Sequence, residues 1–389
     1  MAKLEDICSI NMGQSPDSSS YNESGEGMPF FQGNADFGKL HPKVRIWCNA
    51  PTKIAECGDI LISVRAPIGA LNIANEQCCI GRGLAALTTN ETLCDPKYLW
   101  YGLECKVDEL NSKGTGSTFK AINKKTLAET EIPLPSLEEQ RRIAALLDQV
   151  SDLIAKRRAQ LDKLDLLVKA RFVEMFGDLA APECPHKKCK LVETCVSSDD
   201  IKCGPFGTQL SKEEYQDHGV AVWEIPQINS YFTTQPTHFL TAEKAEQLKA
   251  YSIIPGDIAM SRKGNVGRCA LFPDNFDSGI IHSDVLRIRV DKQQVNPCFM
   301  MYQLHFSGAV QRQIEVVSSG AIMAGVNVTK LKHIEIHLPD FDLQQQFAHF
   351  VGEVDRVKYS INNSLEKLET LKKALIQQYF GGGGNVENC

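Results

Sequence analysis

The chain says one thing twice. The stretch Leu134 to Val150, LPSLEEQRRIAALLDQV, returns 204 positions later as LPDFDLQQQFAHFVGEV, Leu338 to Val354. Sliding the sequence by that offset aligns 116–177 with 320–381 without a gap, and 18 of the 62 aligned positions are identical. A weaker echo lies upstream: GDILISVRAPIG from Gly58 matches GDIAMSRKGNVG from Gly256 at an offset of 198. A repeat of this length means two similar halves, and any fold assigned to one must serve the other.

Each half ends in a long helix. Ile143, Leu147, Val150, Ile154, Leu161, Leu164, Val168 and Met175 recur at helical spacing, and the second copy carries Phe347, Val351, Val354, Ile361, Leu365, Leu368, Leu375 and Tyr379 in the same pattern. Pro135 and Pro339 precede the two stripes, and Gly177 and Gly381 follow them, as start and stop signals. About 40 residues of helix span roughly 60 Å. The economical cover for so long a seam is the other copy, in a coiled coil. Polar residues interrupt it: Arg157 and Arg171 align with Ile361 and Leu375, and Lys358 and Lys372 with Ile154 and Val168. Two separate amphipathic helices, each on its own domain, are the alternative. The globular region between the helices, on the order of 150 residues, is only about 35–40 Å across. It bridges the helix ends comfortably only if the helices are antiparallel. The expected fold is therefore α+β: two mixed α/β heads separated by two long antiparallel helices in an intramolecular coiled coil, a pseudo-twofold tandem repeat.

Composition narrows the function. With 389 residues, 43% hydrophobic and 23% charged, the chain can bury two or three ordinary cores. No apolar run reaches membrane-spanning length, and MAKLEDICSI lacks a basic start with an apolar core, so a cytoplasmic location is expected. The 14 cysteines are scattered and read as buried small residues; Cys184, His186, Cys189 and Cys195 match no common zinc spacing, so no metal is expected. There is no G-x-x-x-x-G-K-[ST] loop and no strand-ending G-x-G-x-x-G, and SKGTGSTFK, Ser112 to Lys120, has its lysine misplaced for a phosphate loop. No catalytic residue is assigned.

Two similar heads held apart by a rigid spacer suit two half-sites on a DNA duplex. Phosphate contacts need basic loops without competing acids. Lys113, Lys120, Lys124 and Lys125 lie in one such run, with Gly116 open to close approach of an anion; Arg262, Lys263 and Arg268 lie in another, and the first head adds Arg65 and Arg82. For base edges the side-chain chemistry favours Arg65, Arg262, Lys263 and Asn265, with Gln209 a further candidate. The competing account is that these are solvated turn residues. Arg141, Arg142, Lys156 and Arg158, on the outer side of the first helix, are candidates for docking a partner subunit, against a plain solvated face. A net charge of −6 and a pI near 5.9 speak against strong binding of DNA by the isolated chain.

The order of head, IPLPSLEEQRRIAALLD, long helix, LDKLDLLVKARFVEMFGD, and a second head with GPFGTQL, GDIAMSRKGNVG and a second LP-x-x-x-x-Q helix resembles the specificity subunit of a type I restriction-modification enzyme. The resemblance covers essentially the whole chain. It implies target-recognition domains at 1–135 and 189–339, spacer helices at 136–178 and 340–381, a linker at 179–188 and a flexible tail at 382–389. It also implies double-stranded DNA as ligand, with a bipartite, gapped target. The implied partners are two modification subunits that methylate adenine with S-adenosylmethionine, and restriction subunits that use ATP and Mg. On this chain it implies no cofactor, in keeping with the absence of a [DN]-P-P-[YF] tetrapeptide. The rival reading is a two-headed coiled-coil scaffold for a cytoplasmic protein complex that touches no DNA.

Overall fold

A computed structural model describes residues 1–116, 120–179, 184–318 and 325–381. The tail at 382–389, Gly320, and parts of the linker and of the Ser112 to Lys120 stretch lie outside the described residues. Contacts divide the chain within its long helices: one compact unit is Met1–Ala159 with Ile361–Cys389, the other Gln160–Ser360.

Each unit holds one head, and the two heads share a topology. In the first, an antiparallel sheet runs Cys8–Met12, Leu84–Thr89, Ile60–Ser63, Leu71–Ile73. The second head repeats that order with Ile201–Cys203, Val285–Ile288, Ile258–Ser261 and Cys269–Leu271. A second sheet centres on a parallel pair, Met28–Phe31 with Cys78–Ile80 in one head and Val220–Trp223 with Gly279–Ile281 in the other. Strand pairing also returns each chain segment to its helix: Ala2–Lys3 pairs with Glu131–Ile132, and Lys187–Lys190 with Glu335–Leu338.

The repeated GDI is turn chemistry. Gly58 and Gly256 sit at φ +92° and +86°, in the left-handed region that glycine enters without a Cβ clash. The next residues, Asp59 and Asp257, are buried, and each accepts a backbone hydrogen bond at 2.8 Å, from Glu56 and Ile254. Asp257 is held further by Arg289, at 2.7 and 2.8 Å.

The long helices run Leu137–Phe176 and Phe341–Phe380, 40 residues each. Within each unit they pack antiparallel, as expected. In the first unit Arg158 pairs with Glu369 at 2.6 Å, while Arg142, further back on its helix, lies beside Tyr379, further on. In the second, Asp165 meets Lys358 at 2.5 Å and Phe172 meets Phe347 with ring centres 5.4 Å apart. The polar seam residues are accommodated by partners. Lys358 takes Asp165, Lys372 takes Glu104 of the head at 2.8 Å and lies 5.5 Å from the centre of the Tyr101 ring, and Arg171 stacks on Phe350.

Two contacts fasten helix to head in both units. Gln140 and Gln344, the Q of LP-x-x-x-x-Q, are fully buried. Gln140 donates to the carbonyls of Pro135 (2.8 Å) and Leu93 (3.0 Å) and accepts from the Asp95 amide (2.9 Å). Gln344 donates to Pro339 (2.8 Å) and accepts from the Asn296 amide (2.9 Å). Asp95 and Asn296 are the N-caps of the short helices Pro96–Cys105 and Pro297–Phe306, so one side chain ties a long helix to a short one. The second fastening is aromatic: Tyr98 packs on Phe380 and Phe299 on Phe176, at 4.7 and 4.8 Å between ring centres.

Removing Gln344 leaves the half-buried Asn296 amide and the buried Pro339 carbonyl without partners, so Gln344→Ala is expected to cost about 1–3 kcal/mol. Urea unfolding followed by near-ultraviolet circular dichroism measures this, and a loss below about 0.5 kcal/mol, the scale of a plain surface substitution, would contradict the clamp.

Candidate nucleic-acid interface

In the first head the loop after Ile60–Ser63 exposes Arg65, and the loop after Cys78–Ile80 exposes Arg82. Both line one polar groove of about 200 Å³ with Ser15, Gln32, Gly33 and Asn34. Neither guanidinium has an ion-pair partner among the described residues. Lys120 joins them through backbone pairing: Ala66 donates to the Lys120 carbonyl at 3.0 Å, and Arg65 forms a β-bridge with Ala121. Gly116, at φ +126°, lies in the same loop. Lys124 is exposed at the start of a short helix, Lys124–Ala128, capped by Asn123.

Lys113 is different. Its ammonium is 2.6 Å from Glu109, one turn earlier, and Glu109 also holds Lys106 at 2.8 Å. Hydrogen bonds from Lys106 and Lys113 keep the Glu109 carboxyl below the usual carboxylate range. The acid-free run therefore contains a neutralised lysine, because the acid sits one helical turn outside it.

The second head builds the same loops with different side chains. Lys263 stands at the place of Arg65 and pairs with Asp284 at 2.8 Å, an acid that closes the IIHSD segment. Arg262 is half-buried: it donates to the Val326 carbonyl (3.3 Å), lies close to the Ser283 carbonyl, and stacks over Phe206 at 4.8 Å. Arg268 donates to the Asn229 carbonyl (2.8 Å) and stacks on the exposed Tyr231 at 5.0 Å. Gln209 accepts from Tyr251 (3.0 Å) and from the Phe206 amide (3.2 Å), which fixes its own loop. Asn265 is exposed at the loop tip, beside Gly264 at φ +67°.

The structure thus brings Arg65, Arg82 and Lys120 together in one head, and Arg262, Lys263 and Asn265 onto one loop in the other. Sequence reasoning missed Ser15, which reaches the groove from beyond Cys8–Met12, and Gln32 and Asn34, which reach it from beyond Met28–Phe31. The polar QGN directly after the apolar strand MPFF was the available signal. On the first long helix Arg141 and Lys156 are exposed, whereas Arg142 and Arg158 are engaged with Glu139 and Glu369, both at 2.6 Å.

A duplicated α+β chain with a polar, cation-bearing loop face on each head defines a two-headed recognition protein. A family model described as the type I restriction modification DNA specificity domain matches it twice, over residues 1–164 and 202–373, and the chain belongs to that family. The putative type I restriction enzyme MjaX specificity subunit of Methanocaldococcus jannaschii is 47% identical over 156 residues, 40% of this chain and 37% of that protein. The match therefore spans little more than a third of that relative's length. The MjaVIII specificity subunit of the same organism is 22% identical over 315 residues, covering 78% of this chain and 74% of its own. The EcoBI specificity subunit of Escherichia coli is 19% identical over 349 residues, covering 83% and 73%. Among solved structures, a type I restriction-modification S subunit from M. genitalium shares the fold with a TM-score of 0.59 at 15% identity, covering 98% of this chain and 96% of that one. A chain from work on complex assembly and conformational transition of the type I R-M system has the same TM-score at 17% identity, covering 97% and 96%.

No cluster of metal-ligating side chains occurs among the described residues, and Cys189 and Cys195 pack against the second core. Burial pushes the thiols of Cys8, Cys78 and Cys94 up to about 12, so all three stay protonated at pH 8. Cys57 is exposed. Site-resolved mass spectrometry after brief alkylation of the folded chain at pH 8 is expected to find Cys57 modified and those three untouched. Rapid labelling of Cys78 would contradict the packing of the first head.

Proposed function

We propose that this chain is the sequence-recognition subunit of a type I restriction-modification assembly. It reads a bipartite DNA target with an unspecified gap, one half per head. It directs adenine methylation by two modification subunits that use S-adenosylmethionine, and restriction subunits using ATP and Mg complete the assembly. The chain itself carries out no catalytic step. It works in the cytoplasm; among the described residues no helix is long and apolar enough to cross a membrane.

The observation that carries this reading is the contrast between the heads. They match in every strand but one, the edge strand Tyr21–Asn22 of the first head, yet at corresponding loop positions one presents Gln32, Arg82 and Gly83 where the other presents Glu224, Ser283 and Asp284. One scaffold with two sets of hydrogen-bonding side chains is what reading two different half-sites requires. Arg65, Lys120 and Lys124 then serve the phosphates of one half-site, and Arg268 and Lys263 those of the other, where Lys263 must first exchange Asp284 for phosphate. With a net charge of −6 the isolated chain binds DNA weakly, and tight binding waits for the partner subunits. On the second unit their docking surface includes the apolar side chains left exposed on its helices, Leu166, Leu167, Val173, Val357 and Tyr359. On the first unit the exposed Arg141 and Lys156 are the docking candidates.

Deleting the gene is expected to erase one asymmetric, gapped motif from the methylated-adenine map of the host genome; an unchanged map from an expressing strain would contradict the reading. In the assembled complex, Lys120→Gln and Lys124→Gln are each expected to weaken binding to all sequences alike and to lower the slope of log K against log salt by about 0.9. Solvated turn lysines would leave the slope unchanged.

A further inference from the structure

The groove of the first head is more tightly built than a patch of positive charge requires. Arg82 stands between Gly81 and Gly83, both buried, where two strand ends cross. Gly81 donates to the Phe31 carbonyl at 2.8 Å and Gly83 to the Gln32 carbonyl at 3.2 Å. A Cβ on Gly83 would lie 2.4 Å from the Gln32 carbonyl oxygen, and one on Gly81 3.0 Å from the Gln32 Cα. The backbones that carry Arg82 and Gln32 are therefore locked together. Buried Asp36 fixes the next turn by accepting from the amides of Gln32 (2.8 Å) and Gly33 (3.3 Å), and Arg45 neutralises it. On the other rim the Ser15 hydroxyl accepts from the Arg82 amide at 3.2 Å.

Rigid backbone thus presents unpaired side-chain tips. The side-chain amides of Gln32 and Asn34 have no hydrogen-bond partner among the described residues, and both line the groove beside Arg65 and Arg82. An amide offers a donor and an acceptor side by side, which matches adenine N6 and N7; a guanidinium offers two donors, which match guanine O6 and N7. A phosphate would use the N–H donors of the guanidinium and amide groups alone and leave the amide oxygens facing an anion.

Resting on the DNA-recognition reading above, we infer that the first head reads the purine edges of one half-site, with Arg82 on a guanine and Gln32 and Asn34 on adenine. The second head cannot do the same at the corresponding place. Glu224 stands there for Gln32 and is held by His238 at 2.7 Å, and Asp284 stands for Gly83 and is held by Lys263.

The test uses the full chain assembled with its modification subunits and maps methylated adenines by single-molecule sequencing. For a Gln32→Ala/Asn34→Ala double variant, one half of the motif and the gap should be unchanged. The other half should become degenerate at one or two A·T positions, with discrimination there falling about tenfold to a hundredfold. Arg82→Lys should relax a G·C position in that same half. An unchanged motif, or degeneracy in both halves, overturns the inference. A parent map with no gapped motif overturns the recognition reading itself, and the inference with it. Should the double variant leave no methylation at all, the parent assembly is measured on its own target with 7-deazaadenine placed at each unmethylated adenine of the motif in turn. Loss of N7 at one of them must weaken binding about tenfold, and equal affinity throughout overturns the inference.

Discussion

A buried side-chain amide, used once in each unit, holds the architecture together. An amide taken out of water without partners is costly, and one with every partner in place holds its surroundings to a single geometry. Gln140 ties the first turn of its helix to the cap of Pro96–Cys105, and Gln344 does the same for Pro297–Phe306. The direction in which each long helix leaves its head follows from that clamp, and the aromatic pairs Tyr98–Phe380 and Phe299–Phe176 then receive the end of the opposite helix. The motif that first marks the chain as a repeat is thus repeated for a structural reason. It is the joint between helix and head.

Fixing the joint leaves the loop faces free to differ. The two heads share the order of their four-stranded antiparallel sheet, the central parallel pair and the GDI turn, in which a left-handed glycine and a buried aspartate set the geometry. Beyond that turn they diverge in charge. The first head leaves Arg65 and Arg82 uncompensated, whereas the second stacks Arg262 over the exposed Phe206 and pairs Lys263 with Asp284. A rigid frame with variable, weakly coupled loops is how one fold serves different targets.

How much of this the sequence showed depended on the length of each signal. The helices were legible because a stripe sustained over 40 residues outweighs local exceptions, and Lys358 and Lys372 are such exceptions, each taking an acid at the edge of the seam. The sheets were not legible in detail, since most strands are two to five residues long and too short to display alternation. Reading loops as acid-free failed for Lys113 and Lys263 for one reason: the neutralising carboxylates, Glu109 and Asp284, are neighbours in space and lie outside the runs considered. Gln32 and Asn34 escaped notice because strand pairing, which periodicity does not supply, carries them to Arg82.

The central claim is that each head independently reads its own half of a divided target. The most direct measurement is the methylation motif specified by a chain in which the second head, between its paired strand and its long helix, is replaced by the first. The account predicts a gapped motif composed of the first half-motif twice, with the second half-motif gone. Retention of the parental second half-motif by that chain, folded and assembled with its partners, would contradict it.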